Sequence, residues 1–321
     1  MTEAERPELT GILVSYESRE LVPGAIASLR VAAATAGRTL EILVVDNASR
    51  DGTADALEAG FPDVRLVRNA TNEGFGRANN AAFDLAGGRW WVLLNPDARL
   101  AADALAPLLE HLEADPGLAA VGPSIGGAGT EGAESAGMLP SLRSLAGHFL
   151  LLNRALGGDR GGPWRGMQIR HRADARPRPV EWLSAAAMIV RPEAIRAVDG
   201  FDASIFMYGE DMELGWALIE RGWRLAIVPA ARADHQIGGS QHPTSTRWID
   251  GIEDFLERRG RSRPAVALAL AIIGLGLAIR AVAGAATGAT AAHRARMRAG
   301  AAHALGGAAR RAFRGRGRRR P

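Results

Sequence analysis

The chain has no cysteine. That excludes disulfides, thiolate metal sites and cysteine nucleophiles, and it suits a reducing compartment. Lysine is absent as well. All 39 basic residues are arginine, a coding bias that, with the abundant Ala and Gly, carries no functional weight. Acidic residues are missing from one region only. Beyond Arg259 there are 13 Arg and no Asp or Glu, leaving 26 Arg against 35 acids before it, about −9 by formal count. The net charge of +4 therefore belongs to the C-terminal segment. The mildly acidic main part argues against nucleic acid as its ligand. The opening residues, MTEAERPELT, are polar and acidic, so no signal peptide is expected. The apolar stretch 265–279 has fifteen residues, short of the ~20 needed to span a bilayer.

What is present is ample for a core: 321 residues, 47% of them hydrophobic, point to a globular protein of one large or two small domains. The first ~120 residues alternate short apolar runs with helical stretches, the pattern of βαβ units around a parallel sheet. Strands are expected at 10–15, 40–45, 64–67 and 90–94, and helices at 21–36, up to 59, at 75–86 and at 101–114. Between 124 and 179 the pattern fails, in a stretch rich in Gly, Arg and Pro that reads as a variable excursion. Order returns with a strand at 180–190, a helix at 211–221, a short strand at 225–228 and a helix at 246–259. Polar residues follow the strands' carboxyl ends: Ser15 and Tyr16, Asp46 with Asn47, and Asn95 with Asp97. In open α/β sheets that edge binds ligands.

Four segments carry the chemistry: ILVVDNASRDGT (42–53), NEGFGRANNAAF (72–83), LLNPDARL (93–100) and the block from Trp182 to Ser240 with GFDASIFMYGEDMEL and ADH. In order and spacing they resemble family 2 inverting glycosyltransferases, the rhamnosyltransferase-like members above all, over roughly residues 8–245. The resemblance implies an α/β fold of the GT-A type, a Rossmann-like nucleotide-diphospho-sugar transferase fold. Residues 1–259 are expected to form this domain, and 260–321 an apolar helix and Arg-rich, membrane-associated tail.

The family pattern gives each residue a role, beside which a plain structural reading stands. Asp46 would accept the N3–H of a pyrimidine base, or cap an Asx-turn. Asn79, in the glycine-rich segment, would contact the donor, or be a helix-surface amide; family members often carry Gly where this chain has Arg77. In the family's D-x-D motif the first acid is here Asn95, which leaves Asp97 to anchor a divalent metal, Mg2+ or Mn2+. The alternative is a capped Pro turn. His235 stands where the family places a metal-coordinating imidazole, although an isolated His is usually a satisfied polar residue. Asp211, second acid of the E-D motif, would be the general base, or the N-cap of its helix. Glu210 would orient the acceptor. Trp182, Phe201, Phe206 and Tyr208 offer a sugar-stacking wall or ordinary core, and Ala185 replaces a frequent Gly.

The resemblance thus implies a metal-dependent hexosyltransferase at the cytoplasmic face of the cell membrane. It would move a sugar, best matched by L-rhamnose from a dTDP- (or UDP-) activated donor, to a glycan or polyprenyl-linked acceptor. The tail would bind an anionic membrane surface, and a homo-oligomer is left open. Alternatives are another sugar, such as galactofuranose, glucose or N-acetylglucosamine, a catalytically degenerate sugar-nucleotide-binding protein, and an Arg-rich tail that contacts nucleic acid.

Overall fold

A computed structural model describes residues 6–127, 130–133, 135–156, 162, 164–169, 176–235, 246–286 and 289–313. The glycines of 237–239 and the end of the Arg cluster, 314–320, lie outside the described residues.

The first half is built from β1 (Leu9–Ser15), α1 (Val22–Thr35), β2 (Leu40–Asp46), α2 (Thr53–Gly60), β3 (Arg65–Arg68), α3 (Phe75–Phe83) and β4 (Trp90–Leu94). β1 pairs in parallel with both β2 and β4, and β2 with β3. These are the expected βα units. β1 and β4 read as continuous apolar runs because both faces of a parallel sheet are covered, and Leu9, Leu13, Val44, Trp90 and Val92 are buried in one core.

Next come β5 (Ala98–Leu100), α4 (Leu105–Ala114), β6 (Leu118–Gly127), β7 (Thr130–Ala133), β8 (Ala136–Gly137), α5 (Leu142–Phe149) and α6 (Leu152–Ala155). The chain continues through β9 (Arg178–Val180), β10 (Trp182–Leu183), β11 (Ala187–Val190), α7 (Pro192–Arg196), α8 (Glu210–Glu220) and β12 (Arg224–His235). It closes with α9 (Arg247–Arg258), α10 (Arg263–Ala286) and α11 (Ala291–Phe313). The main sheet runs β3-β2-β1-β4-β11-β6-β12-β5, with β7 on β6 and β9 on β12.

Several expectations are corrected. The helix expected from 101 starts at Leu105, because the Ala101 N–H bonds the Arg232 carbonyl of β12 and 101–104 form a turn closed by the Ala104 N–H on the Ala101 carbonyl. The strand expected at 180–190 is three strands. Glu181 and Ser184 donate their N–H groups to Gly137 and Ser135, which draws β10 onto β8 while β11 joins the main sheet. The strand expected at 225–228 extends to His235, with an irregularity between Val228 and Arg232. The excursion at 124–179 carries the end of β6 and short strands and helices of its own.

Two compact units emerge, one of 1–137 with 170–241, the other of 138–169 with 242–321. In the second unit the tail helices pack with α9 and α5: Phe149 stacks on Trp248 with centroids 6.0 Å apart, and Arg280 donates to the His148 carbonyl at 2.7 Å. His303 Nε2 and Asp250 Oδ1 are 2.5 Å apart, and Arg311 pairs with Glu253 and Glu257. The apolar helix is also longer than its fifteen-residue run suggests. Arg263–Ala285, 23 residues, is long and apolar enough by length and composition to cross a membrane, and 44% of its most apolar stretch is buried within the protein.

Candidate active site

In the first unit, Ser15 and Asp46 end neighbouring parallel strands in register, and the Asn47 N–H donates to the Ser15 carbonyl at 2.7 Å. The Asp46 carboxylate is buried. Its Oδ2 accepts the Ser49 N–H at 3.0 Å, three residues on rather than the two of an Asx-turn, while Oδ1 has no hydrogen-bond partner among the described residues. Capping thus engages one oxygen and leaves the other for a ligand, since buried acceptors are rarely left unpaired. Ser15 Oγ is buried and unpartnered in the same way, and Tyr16 beyond it is exposed.

Asn47, noted in the sequence only as a polar residue after its strand, ties this edge to the glycine-rich segment. Its Nδ2 donates to Asn72 Oδ1 (2.8 Å) and the Gly74 carbonyl (3.2 Å), and its Oδ1 accepts from Asn69 Nδ2 and the Glu73 N–H, each at 3.0 Å. All four bonding positions of the amide are filled. No local pattern marks that role. Gly74, at φ 84°, lies so close to the loop before α8 that a Cβ would sit 2.5 Å from the Phe206 carbonyl. The Phe75 N–H donates to that same carbonyl at 3.1 Å.

The two asparagines of α3 bond to different segments. Asn79 is buried, and its Nδ2 donates to the Phe75 carbonyl at 2.9 Å within its own helix. Asn80 instead brackets the backbone of Phe201, accepting its N–H at 2.9 Å and donating to its carbonyl at 2.8 Å. Arg77 Nε donates to the Ala203 carbonyl at 2.7 Å. The guanidinium thus clamps the loop that leads to the acid pair.

The Asn95–Ala98 turn is pinned by the Asn95 N–H on the Ala186 carbonyl (2.9 Å) and by Arg99, which donates to the carbonyls of Pro96 (2.8 Å) and Ala98 (2.7 Å). Burial pushes the Arg99 pKa down, and the Asp97 charge opposes it. Because β5 pairs antiparallel with the end of β12, His235 is registered opposite Ala98, and its Nε2 lies 3.0 Å from Asp97 Oδ1. Both side chains are mostly buried. Among the described residues no group of three or more His, Asp or Glu gathers as a metal site. A carboxylate oxygen and one imidazole held at strand ends fit a hard divalent ion that takes its remaining ligands from a diphosphate and water.

The acid pair opens α8 behind Gly209, the N-cap residue at φ 105°, and no side chain caps this helix. Asp211 is therefore not the N-cap. The Ala185 N–H lies toward its carboxylate and favours the charged form, while its Oδ1 is shielded from solvent without a partner among the described residues. Burial first, and the neighbouring Glu210 charge second, hold the Asp211 pKa well above the usual carboxylate range. Burial raises Glu210 too, against the N–H groups of Glu210 and Tyr208, and its Oε2 has no partner among the described residues.

The four aromatics divide evenly between core and surface. Trp182 is buried. Phe201 is also buried, edge-on to Phe75 (5.7 Å) and stacked on Phe83 (6.0 Å), which stacks on Trp91 (4.9 Å). Phe206 and Tyr208 remain 50% and 38% exposed.

Relatives share this architecture. The glycosyl transferase family 2 model matches residues 11–176. An N-acetylglucosaminyl-diphospho-decaprenol L-rhamnosyltransferase of Mycobacterium tuberculosis is 31% identical over 240 residues, covering 70% of this chain and 74% of that protein. A mannosyltransferase from Pyrobaculum calidifontis, solved with GDP-Man and Mn2+, superposes with a TM-score of 0.61 at 19% identity, over 97% of this chain and 88% of its own. GalNAc-T7, solved with UDP, GalNAc and Mn2+, gives 0.54 at 16% identity, over 78% of this chain and 48% of its own. The sheet order, the motifs at its carboxyl edge and these likenesses together establish that the chain belongs to glycosyl transferase family 2 and has the GT-A fold.

Proposed function

We propose that the enzyme transfers L-rhamnose from dTDP-rhamnose, with inversion, to the sugar of a polyprenyl-diphosphate-linked acceptor. The observation that carries this reading is the Asp97–His235 contact, made across 138 residues at the edge where Asp46 keeps a free carboxylate oxygen. The sugar and the acceptor follow the activity of the mycobacterial relative. In this reading Asp46 Oδ1 accepts the N3–H of the base, Ser15 and Tyr16 border the nucleoside, and Asn79 and Asn95 shape the donor end of the site. Asp97 and His235 hold Mg2+ or Mn2+, as the Mn2+ in both structural neighbours supports. Bound there, the ion supplies positive charge that stabilises the departing diphosphate.

Asp211 takes the proton from the acceptor hydroxyl as that oxygen attacks the anomeric carbon opposite the diphosphate. Its raised proton affinity suits that task. Glu210 and Trp182 position the acceptor. A lipid-linked acceptor places the protein peripherally at the cytoplasmic face of the membrane, with the basic C-terminal unit toward anionic lipid.

The test is an assay of dTDP-, UDP- and GDP-sugars with Mg2+ and Mn2+ on an N-acetylglucosaminyl-diphosphate-lipid acceptor. Transfer of rhamnose with inverted configuration is expected. Preference for another sugar reassigns the donor. Nucleotide binding without transfer or hydrolysis of any donor shows a degenerate binding protein.

A further inference from the structure

Helix α10 buries one face and leaves the other bare. Val266, Leu270, Ile273 and Leu277 are buried. At Gly274 a Cβ would lie 2.6 Å from Leu305, and at Gly276 2.5 Å from the Phe149 carbonyl, so this side packs close on α11 and α5. On the other side Leu268, Leu275, Ile279 and Val282 are 51%, 52%, 47% and 75% exposed, and Ile272 is half-buried between them. The series 268, 272, 275, 279, 282 alternates steps of four and three, which is one continuous stripe along a helix. Contiguous exposed apolar surface of this kind marks an interaction site.

The frame around the stripe decides what covers it. From Gly260 to Phe313 there are Arg residues at 261, 263, 280, 294, 296, 298, 310 and 311, and no acid. Arg261, Arg263, Arg296, Arg298 and Arg310 are exposed. Two copies meeting through this face would bring like charges together. An anionic surface is complementary to it. Spanning is disfavoured although α10 is long enough. The same helix packs along α11, so crossing would carry Arg294, Arg296 and Arg298 toward hydrocarbon. A helix lying in the interface needs only one apolar face.

We propose that the Leu268–Val282 face of α10 is a lipid-docking surface, lying in the headgroup and acyl boundary of an anionic bilayer while the exposed arginines engage the headgroups. This deepens, and rests on, the membrane-surface reading of the proposed function. The full chain is tested by co-sedimentation with vesicles of equal parts phosphatidylglycerol and phosphatidylcholine, against phosphatidylcholine alone. The wild type should bind the anionic vesicles. Leu275→Gln with Ile279→Gln should lower partitioning at least about tenfold, with an unchanged melting temperature and unchanged activity on a water-soluble acceptor. Val282→Trp should show a blue-shifted emission on anionic vesicles.

Wild-type protein that ignores anionic vesicles at low salt overturns the membrane reading itself. Wild-type binding that the double variant keeps in full, or an unshifted Val282→Trp emission, overturns the assignment of this face alone. A wild-type dimer in light scattering that the double variant dissociates, without vesicle binding, assigns the stripe to a second copy and also overturns it.

Discussion

Asn80 grips Phe201 by both backbone atoms, accepting its N–H at 2.9 Å and donating to its carbonyl at 2.8 Å, across 121 residues of sequence. The loop so held runs through Phe206 and Tyr208 directly into Glu210 and Asp211. Asn80→Ala removes both bonds and leaves two backbone groups to find water, at about 1–3 kcal/mol. With both its amide atoms on the Phe201 backbone, Asn80 should act through the loop, so kcat should fall about tenfold or more with the donor KM little changed. Asn80→Asp, which still accepts the N–H, should recover part of the loss. A donor KM that rises in proportion instead would make Asn80 a substrate contact.

Asp97 and His235 are expected to share one divalent ion. Asp97→Ala should abolish turnover and lower Mn2+ affinity measured by calorimetry, while the circular dichroism spectrum holds, because the side chain sits at a strand end outside the core. Full activity in excess chelator would refute the metal site.

Asp46 offers one unpaired carboxylate oxygen where a base would sit. Such a contact is made equally in ground and transition states, so Asp46→Ala should raise the donor KM more than it lowers kcat. Unchanged donor affinity, measured by titration with the nucleotide diphosphate, removes the assignment.

Asp211 makes a prediction on rate and another on stability. Asp211→Asn keeps the size of the side chain but cannot take a proton, and kcat should fall about 100-fold or more. In the wild type the folded state holds the Asp211 proton more tightly than the unfolded chain does. Stability should therefore decline as pH rises from the ordinary Asp value of ~4 toward the raised folded value. Asp211→Asn lacks that decline, so its melting temperature should gain on wild type as pH rises through that window. Glu210→Gln removes the neighbouring charge and should move the rising limb of the pH–rate profile to lower pH. If Glu210→Gln abolishes activity and Asp211→Asn does not, the base is Glu210.

The sequence by itself determined the parallel half of the sheet and the places where acids follow strands. Buried parallel strands must be continuous apolar runs, and the polar residues that end them stand out against those runs. For the same reason Asp46 and Asp97 were legible as candidates, whereas Glu210, Asp211 and His235 were picked out by their resemblance to the family pattern. Only the tertiary structure decided which of them meet. His235 reaches Asp97 because β12 runs past its expected end to pair with β5, and strand partners so far apart leave no local mark. The same holds for Asn47 and Asn80, whose partners lie on other segments, and for Asp211, which reads as a helix cap although Gly209 takes that position. Aromatic residues look alike in sequence whether they pack or project, and packing alone placed Phe201 in the core and left Phe206 and Tyr208 exposed. Likewise, the length of α10 and its bare face depend on neighbours that cover only one side of it, which composition does not record.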